Sequence, residues 1–224
     1  MKADFRAPMV PYGLPPARRT GQSPQSQSSC AESDWDSSSP KNRYGRDVDA
    51  ISVSGVQGTG KTTLARALGR VTGAVVLSRA PLMDVALAAG VPVDPPQGAG
   101  LKGVGDLAYD LQTALLREQL DMGHSVVLDC GADCLIREGW RKVADDAGAQ
   151  FWLVDTVCSD VELHRQRFQA RGSVWRCDVG QTWEMVHELR IRFKVHPQAA
   201  FVADAVRSVE ENVRSIMALI EGEA

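Results

Sequence analysis

The 224-residue chain lacks a basic excess. It carries 25 Lys and Arg against 28 Asp and Glu, a formal net charge of −3, and its pI is near 5.8. A dedicated nucleic-acid binder usually has the opposite balance, so that function class is disfavoured. Cysteine is scarce, at five residues: Cys30, Cys130, Cys134, Cys158 and Cys177. An odd number at low density is no disulfide framework and points to reduced thiols in a cytoplasmic protein. Cys130 and Cys134 are four apart, and no further pairing completes a zinc-ligand spacing. Thiols buried near strand ends are the expectation. His124, His164, His187 and His196 show no catalytic spacing. No run of 18 apolar residues is present, so no membrane span is expected. The N-terminus lacks the apolar core of a signal peptide.

Residues 1–46 are also poor in apolar periodicity. Pro8, Pro11, Pro15, Pro16 and Pro24 punctuate the start, and 22–39 is mostly Ser, Gln and Asp. Such a segment cannot bury enough apolar surface to offset its ordering entropy. The expectation is a disordered tail followed by one domain over 47–224.

What the chain does have is Gly55-Val56-Gln57-Gly58-Thr59-Gly60-Lys61-Thr62. It fits the phosphate-binding pattern G-x-x-x-x-G-K-[ST]. Glycines let the backbone curl so that successive N–H groups converge on phosphate oxygens. The following helix adds the positive end of its dipole. Lys61 is then expected on the terminal phosphates and the Thr62 hydroxyl on Mg²⁺. The context agrees with the motif: residues 49–54 alternate and are β-rich, and 63–70 are strongly helix-forming.

Onward from residue 47 the pattern is β-α-β-α. Strands are expected at 49–54, 74–78, 125–129, 151–154 and 201–206. Helices are expected from 63 to Gly69 or Gly73, at 80–89 behind Pro81, at 106–122, 137–147, 159–170 and 180–193, and after Ser208. Leu107, Leu111, Ala114 and Leu115 are read as the apolar face of the helix 106–122. Ser159 to Glu162, and Ser208 to Glu211, read as capping boxes. Residues 90–105 form a long Gly- and Pro-rich loop. Five strands alternating with helices imply an α/β fold with a parallel sheet covered on both faces. Ligands of such sheets sit at the carboxyl ends of the strands, where the glycine loop, Ser78 and Asp129 fall together. Trp140 reads as core. Trp175 and Trp183 are candidates to face a substrate ring.

Residues 48–221 resemble the small P-loop kinases, the group with gluconate kinase, chloramphenicol phosphotransferase, zeta toxin and polynucleotide kinase. Four features carry the resemblance: the loop Gly55 to Thr63, the acid-ended strand reaching Asp129, the pair Arg167 and Arg171 spaced R-x-x-x-R, and the last strand and helix after Asp204. The resemblance implies a three-layer P-loop NTPase fold with a mobile lid. It implies that Arg167 and Arg171 close on the phosphates, with Arg176 in the lid. ATP and Mg²⁺ are the implied cofactors, with Gly55, Gln57, Gly58, Thr59, Gly60, Lys61, Thr62 and Thr63 on the nucleotide and Thr62 and Asp129 on the metal. Many of these kinases carry Ser-x-Asp after the second strand, and that acid handles the acceptor hydroxyl. This chain reads Ser78-Arg79-Ala80, so either the acid falls to Asp129 or to Asp84, or the chemistry differs. The expected activity is phosphoryl transfer from Mg-ATP to a hydroxyl of a nucleoside, sugar or antibiotic-like molecule. A nucleic-acid 5′-hydroxyl kinase and an ATP- or GTP-binding switch without an acceptor are the rival readings. A GTP switch would normally carry Asn-Lys-x-Asp, which is not present.

Overall fold

Strand β1 (Asp49–Gly55) is the centre of the molecule, and its burial dictates its composition. Every residue after Asp49 is buried, so the strand needs apolar or small side chains on both faces. The structure is a computed structural model and describes residues 47–95, 102–131, 134–172 and 180–222. The expectations for the tail 1–46, for 96–101 and for Trp175, Arg176 and Cys177 lie outside the described residues.

After β1 come α1 (Lys61–Thr72), β2 (Val75–Ser78), α2 (Arg79–Ala88), α3 (Val104–Asp121), β3 (Val126–Asp129) and α4 (Cys134–Asp146). They are followed by β4 (Gln150–Val157), α5 (Val161–Arg171), α6 (Trp183–Arg192), β5 (Phe201–Asp204) and α7 (Val209–Ile220). The strands form one sheet in the order β2-β3-β1-β4-β5, and every pairing is parallel.

Alternation along each strand divides the core in two. Ala50, Val126 and Leu128 face a cluster with Tyr109, Leu116 and Leu120 of α3 and Trp140 and Val143 of α4. Ile51, Val53, Val127 and Val154 face the other side, with Leu64 and Leu68 of α1 and Val213 and Ile216 of α7. The sheet is thus covered on both faces, as the strand spacing implied. Trp140 is core, at 1% exposure. Among the described residues no helix is long and apolar enough to cross a membrane.

Two local expectations need correction. The buried face of α3 is Val104, Ala108, Tyr109, Gln112, Leu116 and Leu120. Leu111 is 39% exposed, and Ala114 is exposed while Leu107 and Leu115 are only half-buried. The stripe runs one residue away because Gln112 is wanted inside: its Nε2 donates to the carbonyls of Leu77 and Asp129, tying α3 to the ends of β2 and β3. At α5 the N-cap is Asp160, whose carboxylate accepts the Leu163 N–H, and not Ser159. The capping box at Ser208 and Glu211 is present with both reciprocal bonds, a device worth about 1 kcal/mol.

A charged pair is buried between sheet and helix. Arg137 of α4 donates from Nη1 to the Asp155 carboxylate at 2.6 Å and to Ser54 Oγ at 2.8 Å. Asp155 also accepts the Ser54 hydroxyl and the His196 N–H. Arg137 and Asp155 are 1% and 0% exposed. Removing one member of such a pair leaves the other charge buried, which costs more than the intact pair contributes. We expect Asp155→Ala to lower the unfolding free energy by about 3–5 kcal/mol in urea titrations. An unchanged midpoint would mean that water reaches this pair.

Candidate functional site

The chain leaves β1 at Gly55, where only a residue without a side chain fits. Its φ is +144°, and a Cβ there would lie 2.3 Å from Thr156 Oγ1 and 2.4 Å from the Thr156 carbonyl. The loop then turns through Gly58 and Gly60, with φ of +85° and +83°. Gly60 is the N-cap of α1. Lys61, Thr62 and Thr63 therefore occupy the first turn, where free backbone N–H groups and the dipole favour an anion.

Neighbouring elements hold this curl in place. Thr59 is buried; its hydroxyl donates to the Val56 carbonyl at 2.7 Å and lies 2.6 Å from Thr156 Oγ1 of β4. Thr156 Oγ1 also donates to the Ser54 carbonyl at 2.9 Å. Lys61 Nζ donates to the Val56 carbonyl at 2.8 Å, folding the cation back over its own loop. Beneath the loop, His164 of α5 is fully buried. A carbonyl only accepts, so His164 Nε2 carries its proton and donates to the Gln57 carbonyl at 2.6 Å. The Trp183 ring meets His164 edge-on, with centroids 5.3 Å apart.

A cleft of about 710 Å³ opens above this loop. Gly58, Thr59, Gly60, Lys61, Thr62 and Thr63 line it from the loop side, and Arg167 and Arg171 from α5. The structure therefore brings together eight of the residues expected on a nucleotide. Gly55 and Gln57 lie behind them, supporting the loop through Thr156 and His164. Asp129 is buried at the end of β3, beside Val53 in the sheet register. Asp84 is half-buried on α2. Neither acid lines the cleft.

Several residues of the site were not singled out in the sequence. Arg207 and Asn212 line the cleft from the start of α7. Asn212 Nδ2 donates to the Asp204 and Ser208 carbonyls, fixing that helix to β5. The capping box at Ser208 was the available clue, since the residue before an N-cap lies at the mouth of its helix. Arg167 is anchored as well: its Nη1 donates to the Ala205 carbonyl at 2.6 Å.

The cleft is cationic on an acidic chain. Among the described residues its lining holds Lys61, Arg66, Arg167, Arg171 and Arg207 against one acid, Glu210. Burial alone would raise the Asp204 carboxyl, but hydrogen bonds from Ser159 and from the Val206 N–H outweigh it and hold it below its usual range. Burial pushes the Cys130 thiol up to about 12. Cys130 and Cys158 are both buried and free, so Cys130 stays protonated and is no nucleophile.

Nucleotide and metal are tested by the residues present. The first turn of α1, whose backbone N–H groups have no intrahelical partners, lines the cleft together with basic side chains, so a polyphosphate fits. Thr62 and Asp129 are hard oxygen donors of the kind Mg²⁺ prefers.

His164 makes the loop's support pH-sensitive. Burial holds its pKa below the ordinary value, although the Gln57 bond opposes the shift. Its Nδ1 is buried with no partner among the described residues, so a second proton has nowhere to donate. The folded state therefore favours the neutral ring. This contribution is complete above the unfolded value of about 6.5 and is lost as pH falls from there towards the folded pKa. We expect thermal stability to drop as pH falls below about 6.5, by at most ~1.4 kcal/mol per pH unit. His164→Gln should flatten that slope; an equal slope in the variant would assign it elsewhere.

Comparison with known proteins agrees with this geometry. A gluconokinase from Sinorhizobium meliloti 1021 superposes with a TM-score of 0.54 at 18% identity, covering 79% of this chain and 93% of the other. The Mycobacterium tuberculosis APS kinase in complex with AMPPNP and APS superposes with a TM-score of 0.56 at 19% identity, covering 78% and 98%. A putative kinase from Chloroflexus aurantiacus gives 0.56 at 19% identity, covering 76% and 97%. No curated protein matches the chain in sequence. The AAA domain model AAA_33 matches residues 51–179, from β1 past the end of α5. The chain therefore belongs to the AAA_33 family of AAA domains and has the fold of the small P-loop kinases.

Proposed function

We propose that residues 47–224 form a kinase that moves the terminal phosphoryl group of ATP to a hydroxyl of a small molecule. The observation that carries this reading is the charge of the cleft. A chain with a net charge of −3 gathers five basic side chains around one phosphate-binding loop, with Glu210 the one acid among the described lining residues. Phosphoryl transfer asks the protein mainly for positioning and for cations around the equatorial oxygens.

In this reading the loop N–H groups and Lys61 hold the phosphates, and Thr62 with Asp129 holds Mg²⁺. The metal would supply charge neutralisation on the phosphate oxygens. Arg167 and Arg171 stand across the cleft as the cations that meet the transferring group. Arg207 and the start of α7 flank the nucleoside end. Asp129 orients the acceptor hydroxyl. Its support is rigidity: it ends a buried strand, and its own carbonyl is held by Gln112. A misplacement of about 1 Å at such a group costs roughly a hundredfold in rate. The thiol content of the sequence supports a cytoplasmic location.

The test is ATP consumption measured with and without a panel of sugars, nucleosides and aminoglycosides. We expect acceptor-dependent turnover in the wild type. In Lys61→Ala it should fall at least ~100-fold, the effect of losing one cation worth about 3 kcal/mol. ATP hydrolysis unaffected by every acceptor would instead support a nucleotide switch.

The acid is tested separately at saturating ATP. Asp129→Asn should lower kcat by ~100-fold or more, with Asp84→Asn milder. The reverse order would move the acid to α2 and leave Asp129 a structural strand end.

A further inference from the structure

The carboxyl edge of the sheet has a second half. The cleft takes the side of β1, β4 and β5, with Thr156, Ala203 and Arg207 in its wall. The other side is formed where β2 and β3 end. Register pairs Ser78 with Asp129, and Asp129 with Val53. Arg79, Asp129 and the phosphate-binding loop therefore leave the sheet along one edge, where parallel sheets bind ligands.

Arg79 begins α2 at that edge, and its surroundings are unusual for a structural arginine. Its guanidinium carbon lies 4.1 Å from the centroid of the buried Tyr109 ring. Stacking uses the face of the guanidinium and leaves its in-plane N–H fork available. Among the described residues no hydrogen bond or ion pair reaches that fork, and Nε is buried without a partner. Gly105 and Gly131 flank it. A Cβ at Gly105 would come within 2.8 Å of Nη2. One at Gly131 would lie 2.9 Å from the Tyr109 hydroxyl and 3.8 Å from Nη1. A half-buried cation without a counter-charge is costly unless an anion completes it.

We propose that Arg79 holds an oxyanion on the phosphoryl acceptor, so that the substrate class of this site is an alcohol carrying a phosphate or carboxylate group. The assignment rests on the kinase reading above, because it puts the acceptor on the β2–β3 side of the phosphates. Tyr109 sets the plane of the guanidinium, and the fork takes two oxygens of the anion. The hydroxyl to be phosphorylated then lies towards Asp129, one strand nearer the loop.

The full chain is first saturated with AMPPNP, so that added anions cannot occupy the glycine loop. Inorganic phosphate and acetate are then titrated separately by calorimetry. We expect one of them to bind, and which one does tells a phosphorylated from a carboxylated acceptor. Arg79→Met should weaken that binding roughly 10-fold or more, and Arg79→Lys should fall between. AMPPNP binding by each variant reports that it is folded. If AMPPNP binds but neither anion does, or if Arg79→Met binds as wild type, this inference is overturned while the nucleotide reading stands. If AMPPNP fails to bind the wild type, both fall together.

Discussion

A loop that binds phosphate through its backbone must be held open around a space with nothing in it. Its N–H groups cannot satisfy one another, and glycine-rich sequence pays the largest entropy to be ordered. The structure around β1 answers that constraint. Thr156 of β4 packs so close to Gly55 that no side chain fits. Thr59 is buried against the same threonine. His164 takes the Gln57 carbonyl from below. One residue further from the loop along β1 and β4, the Arg137–Asp155 pair locks Ser54 and the His196 backbone. Each support comes from a different part of the chain, so the loop's shape is a property of the whole sheet.

The fold was legible because its signals are local and repeated. Five short β-rich runs alternating with amphipathic segments leave little choice but a parallel sheet. The glycine loop was legible because its residue types are tied to one backbone geometry. What failed was reading burial from hydrophobicity alone. On α3 the sequence offers Leu107, Leu111 and Leu115, but the buried stripe includes Gln112, chosen for the two carbonyls it satisfies. A polar side chain selected by a distant hydrogen bond has no periodic signature. The same holds for Arg137, buried through partners 18 and 83 positions away in the chain. It also holds for His164, whose spacing suggested nothing and whose partner is 107 positions away.

The charge distribution explains how an acidic chain can attract a polyanion. Net charge describes the far field, while the cleft wall describes what a ligand meets within a Debye length, about 8 Å at physiological salt. Arg207, which donates to Ser215 Oγ at 3.2 Å, and Arg66 matter in that respect through their charge. Their charges face the same volume as Lys61, Arg167 and Arg171.

Helix α5 has one more implication. His164, Arg167 and Arg171 stand three and four residues apart, hence along one side of a single rod. The first supports the floor of the glycine loop; the other two reach the wall of the cleft. Seven residues at helical rise separate the first from the last, about 10 Å. The helix is thus a gauge: it converts a count of residues into the distance between the cradle and the cations across from it. Inserting or deleting one residue in that interval would rotate the arginines by about 100° as well as shift them. The interval is therefore a place where change in length is far less tolerable than change in sequence.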